Sequence, residues 1–100
     1  MRANILLSTT GGCASAEVRI PAGQAAVVGL FGEGNKRMPT DAVAWVLQTE
    51  GGYWPGDNPM TIAALTYEQP VVQILPIMVD RTIVARKSES SGPYGAWVET

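Results

Sequence analysis

The stretch Ala16-Glu17-Val18-Arg19-Ile20-Pro21-Ala22-Gly23-Gln24-Ala25-Ala26-Val27-Val28-Gly29-Leu30-Phe31 decides the fold class. Its first five residues alternate, with Ala16, Val18 and Ile20 on one side and Glu17 and Arg19 on the other. Period two is the signal of a half-buried strand with one wet face. Pro21 to Gln24 has the composition of a turn, and its length suits a hairpin, so residues 25–31 are expected to return antiparallel to 16–20. Residues 25–31 are apolar on both faces, which places them centrally in a sheet or against a partner.

The same punctuation continues outward. Gly11-Gly12, Gly32 to Asn35, Gly51-Gly52, Pro55 to Pro59, Pro70, Pro76 and Gly92-Pro93 cut the chain into pieces of five to ten residues. Strands fit such pieces and helices of useful length rarely do. Strands are expected at 4–8, 60–66, 71–75, 81–87 and 94–99, the last with Tyr94, Ala96 and Val98 on one side and Trp97 on the other. Residues 42–49 are the one serious helix competitor, since Thr40 or Asp41 could cap them. Two β-branched valines and the Gly51-Gly52 that follows favour a strand, with Trp45 expected in the core. The sum is a single all-β domain spanning 1–100, an antiparallel β-sandwich of seven to eight short strands, immunoglobulin-like or jelly-roll-like.

Composition restricts the function. Of 100 residues, 46% are apolar and only 16% charged, against about 25% charged in an average domain. A small domain has much surface per volume, so low charge suggests that other chains cover part of it. Seven basic residues face nine acidic ones without a clustered basic face, so nucleic acid is not an expected partner. No apolar run reaches membrane-spanning length, and the first eight residues fall short of a signal peptide, so no membrane partner is expected either. A single cysteine, Cys13, allows no internal disulfide and fits synthesis in a reducing cytoplasm.

The catalytic inventory is short. There is no histidine, hence no commonest general base and no commonest transition-metal ligand. Cys13 has no histidine to activate it, no Ser-x-x-Lys spacing occurs, and the nine acids are spread singly. The glycine-rich segment 29–36 lacks a phosphate loop's ending, and Asp57-Asn58 lacks a calcium loop's spacing. No enzyme activity, cofactor or metal is expected; two acids within about 5–9 Å in a pocket would revive a hydrolase reading. Four aromatics are the candidate interaction residues: Tyr53 and Trp54 between two glycine-containing turns, and Tyr94 and Trp97 near the end of the sequence.

One resemblance adds to this reading. Residues 46–55, running from an apolar strand into Gly51-Gly52-Tyr53-Trp54-Pro55, the strand Met60 to Leu65, the segment Pro76 to Lys87 and the closing Gly95-Ala96-Trp97-Val98 together resemble small capsid decoration, or cement, proteins of tailed bacteriophages. The likeness covers about half the chain and is a pattern of elements. Such proteins usually carry Pro-Gly before the penultimate strand, where this chain has Val79-Asp80. The resemblance implies a non-enzymatic virion structural protein on the capsid surface, made in the host cytoplasm. Its partners would be the major capsid protein and copies of itself, as a trimer or other homo-oligomer. The rival class is a carbohydrate- or surface-binding β-sandwich module of a tail fibre or adhesin, using Tyr53, Trp54 and Tyr94.

Overall fold

The computed structural model describes residues 2–6, 11–51 and 59–100. Among them are nine strands: β1 (Arg2–Leu6), β2 (Cys13–Ala14), β3 (Val18–Ile20), β4 (Ala26–Gly32), β5 (Val43–Glu50), β6 (Met60–Thr66), β7 (Val71–Ile74), β8 (Arg81–Lys87) and β9 (Tyr94–Glu99). No described segment is helical, and the stretch expected as a strand at 42–49 is β5, Val43–Glu50. One sheet runs β1-β9-β4-β7. The other runs β8-β5-β6, with β2 and β3 sharing the far side of β8. All pairings are antiparallel, and the sheets pack face to face as a β-sandwich.

Alternation builds the core. Ile20, Val28, Val46, Leu65, Ile83, Tyr94 and Ala96 lose essentially all contact with water between the sheets, each fully buried large apolar side chain being worth roughly 1.5–3 kcal/mol. β4 lies between β7 and β9, as its two apolar faces require. The count exceeds the expected seven to eight because the two-residue β2, at Cys13–Ala14, is too short to leave a periodic signal.

The expected hairpin is not formed. β3 pairs with β8 in one sheet, whereas β4 pairs with β7 and β9 in the other, so residues 21–25 cross between sheets. The turn itself is there. Gln24 N–H donates to the Pro21 carbonyl and Gly23 takes φ 80°, the positive value a type II turn demands. What redirects the chain is the segment before β8. The Ala22 N–H donates to Asp80 Oδ1 at 2.9 Å, Arg19 Nη2 meets Oδ2 at 2.9 Å, and the Gly23 N–H donates to the Ile77 carbonyl. These bonds hold the turn against the β7–β8 connection, and β3 cannot fold back onto β4.

Trp45 also departs from expectation. Its cross-strand neighbours are Arg86 and Ala64, on the face of the β5 sheet that points away from the core, and it is 36% exposed. Mid-strand position does not specify a face; the register does. Trp97 lies on the opposite side of β9 from Tyr94, Ala96 and Val98, as alternation requires, yet it is only 8% exposed. Its indole lies over Gly29, its direct cross-strand partner, and the Arg2 guanidinium sits 3.9 Å from its ring centroid. A Cβ at position 29 would overlap the indole Cζ2 and Cε2. Gly29→Ala should therefore cost about 1–3 kcal/mol, the range for overpacking a filled site, measured as a lower midpoint in urea unfolding.

Candidate functional site

Two of the four candidate aromatics, Tyr94 and Trp97, fall among the described residues. Tyr53 and Trp54 lie outside the described residues. Tyr94 is fully buried; its hydroxyl donates to the Val43 carbonyl at 2.6 Å and accepts from the Val43 N–H at 3.2 Å. That hydroxyl ties the start of β5 to β9, and Lys87 Nζ lies 4.1 Å from the centroid of the ring. The ring is thus a core filler with its polar tip satisfied by backbone. Trp97 is covered on its outer side by Arg2, which is also 3.5 Å from Glu99.

The polar groups that remain are mostly ties between loops. Asp41 accepts from Ser91 N–H and Ser91 Oγ at 2.9 and 3.0 Å, anchoring the β8–β9 connection. Asp41 and Glu68 line one shallow depression of about 330 Å³ with Thr40, Thr66 and Tyr67. Both acids are exposed to water. Among the described residues no three His, Cys, Asp or Glu side chains gather as metal ligands. Asp80 is held below the usual carboxylate range, first by the Ala22 N–H and then by the Arg19 guanidinium.

A different arrangement stands at the opening between the sheets. Among the described residues β6 and β7 are each an outer strand of their sheet, and they lie side by side without a ladder between them. Between them runs a groove of about 240 Å³, lined by Ile62, Ala63, Val72, Ile74 and Leu75, with Gln48, Gln73 and Arg81. Consecutive residues Ile62 and Ala63 both face it because β6 carries a bulge: Val46 pairs with Ala63 but Leu47 pairs with Thr61, leaving Ile62 extra. Bulges at edges re-aim side chains in this way.

Arg81 is the unusual member. It opens β8 on the inward side, in line with Ile83 and Ala85, and is 2% exposed. Nη2 donates to the Gln24 carbonyl at 3.0 Å, Nη1 reaches Gln48 Oε1 at 3.4 Å, and Nε has no partner among the described residues. Burial pulls the guanidinium below the usual arginine range. No carboxylate among the described residues bridges it: Asp80 is committed to Arg19 and Ala22, and Glu50, opposite Arg81 in the ladder, is exposed. A buried cation that no described carboxylate bridges is costly, and Arg81 is a residue that the sequence analysis does not single out. The alternation of Arg81 with Ile83 and Ala85 was the available signal.

The end of the sandwich to which this groove belongs carries exposed apolar residues. Met60, Leu75, Met78 and Val79 are 65%, 67%, 89% and 45% exposed, and all belong to the end of the sandwich that carries Arg81 and Gly51. A second exposed surface lies on the outer face of the β5 sheet, where Trp45, Leu47, Thr61 and Arg86 border a shallow depression of about 350 Å³. Comparison with protein-family models, curated proteins and solved structures finds no match to this chain.

The Asp80 clamp makes a pH prediction. Its folded-state pKa lies below the ordinary 3.8, so its contribution is complete above that value and is lost as pH falls through the lower folded value. Asp80→Asn should lower stability at neutral pH and flatten the stability profile on the acid side of 3.8, read as urea midpoints across pH. Tyr94→Phe strips both Val43 backbone groups of their buried partner and should cost about 1–3 kcal/mol by the same unfolding measurement.

Proposed function

We propose that this chain is a non-enzymatic structural protein of a bacteriophage particle, a decoration or cement protein that seats on the head shell. Its partners in this reading are the major capsid protein and further copies of itself. The observation that carries the proposal is the apolar end formed by Met60, Leu75, Met78 and Val79, on a domain with only 16% charged residues. Large aliphatic and thioether side chains grouped at one end gain free energy when another chain covers them. Their position supports the reading further, since Met60 opens β6 and Leu75 follows β7, the outer strands of their sheets among the described residues. A contact there would dry the groove and shield the edges together.

Trp45 favours a second reading, a carbohydrate- or surface-binding module of a tail fibre or adhesin. A half-exposed indole on a flat sheet face, with Arg86 and Thr61 beside it, offers the stacking surface and hydrogen-bond donors that a sugar ring uses. The two readings place the contact on different surfaces. Leu75→Glu combined with Met78→Glu should abolish self-association and co-sedimentation with capsids while leaving the urea midpoint within about 0.5 kcal/mol of the parent, as expected for exposed positions. Light scattering and ultracentrifugation read this result. A parent chain that is monomeric and stays in the supernatant overturns the capsid reading. Loss of glycan binding in Trp45→Ala, with association intact, supports the second.

A further inference from the structure

The groove between β6 and β7 has a cationic floor and aliphatic walls, at the end of the sandwich that carries exposed apolar residues. A guanidinium recognises a carboxylate best side-on, through Nε–H and the neighbouring Nη2, in two parallel charge-assisted bonds. On Arg81, Nε is buried and has no partner among the described residues, and Nη2, which has two hydrogens, donates to one acceptor there, the Gln24 carbonyl. Gln24 holds the head group through Nη2 and Gln48 through Nη1. The floor is therefore built and oriented before any ligand arrives, which lowers the ordering cost of binding.

We propose that this groove recognises a carboxylate on a partner protein, an aspartate or glutamate side chain flanked by aliphatic residues, with Arg81 as its receptor. The cavity of about 240 Å³ has room for a single side chain, and Gln48 and Gln73 supply amide donors beside the guanidinium. Ile62, Val72, Ile74 and Leu75 then cover the methylenes and the aliphatic neighbours. The choice of a protein rather than a free small acid follows from the mouth. It is open along two strand edges and continues into the exposed Leu75, Met60 and Met78, so a small acid would be left largely in water. That choice rests on the assembly reading above and adds to it the chemistry of the contact. The entering anion also compensates the buried cation, so Arg81 is a receptor whose cost the free chain bears and the complex recovers.

The test uses the full chain, 15N-labelled, with the Arg81 Nε–Hε resonance as reporter. Two peptide probes are titrated, acetyl-Val-Glu-Val-amide and acetyl-Val-Gln-Val-amide. The glutamyl peptide should shift the resonance saturably and bind about tenfold or more tighter than the glutaminyl one, the difference expected for hydrogen bonds to a charged group. Arg81→Met should erase that preference, measured by calorimetry, while its urea midpoint stays level or rises, because an unpaired buried charge has been replaced by an apolar chain. Arg81→Lys keeps the charge without the fork, and should lose most of the preference. Equal binding of the two peptides overturns the proposal, as does a fall in midpoint for Arg81→Met with the preference retained in Arg81→Lys. If Asp57→Asn alone moves the ligand-free Arg81 resonance as far as the peptide does, the acid is the chain's own and the proposal also fails. A chain that prefers the glutamyl peptide but ignores capsids removes the capsid reading and leaves the carboxylate site standing.

Discussion

Strand β8 is hydrogen-bonded along both sides, to β5 from Arg81 through Lys87 and to β3 and β2 at its two ends. A strand held this way cannot slip. Moving it by one residue would turn Ile83 and Ala85 outward and bring Thr82 and Val84 into the core. The same alternation sends Arg81 and Lys87 inward at opposite ends of β8, where each is 2% exposed. Two buried cations are thus a direct consequence of the register that the apolar middle of β8 enforces. At one end the aromatic face of Tyr94 receives Lys87; at the other, Arg81 borders the groove.

The Asp80 clamp is what allows this strand to organise both sheets. By holding Ala22 and Arg19, it sets the crossing point at which the chain leaves β3 and enters β4. The Gly51 N–H donates to the Asp80 carbonyl, so the end of β5 is fixed at the same place. A Pro-Gly turn could bend the chain before β8, but it has no side chain to accept these bonds. Val79-Asp80 therefore builds a junction, with its backbone on one strand end and its carboxylate on a turn.

The sequence made the class of the fold legible because alternation is local. Arg19 between Val18 and Ile20, and Trp97 between Ala96 and Val98, report which side chains share a face without reference to any partner strand. Which face is wet, and which strand is the neighbour, are set by contacts distant in sequence. Residues 16–31 have the turn length of a hairpin, yet Asp80, some sixty positions on, sends the two strands to different sheets. Trp45 reads as core from its place in mid-strand and is turned outward by its pairing with Arg86. The groove was illegible for the same reason: its walls come from β6 and β7, its floor from β8. The apolar end was partly foreshadowed by low charge, which measures how much surface is unspoken for but not where it lies.

The bulge at Ile62 bears on how such a molecule can associate. A straight, unbroken edge offers its row of backbone donors and acceptors to any strand of any chain, and each addition exposes a fresh edge for the next. On β6 that row is interrupted between Ala63 and Thr61, so an incoming strand would lose register halfway along. The interruption works against open-ended extension of the sheet from this edge.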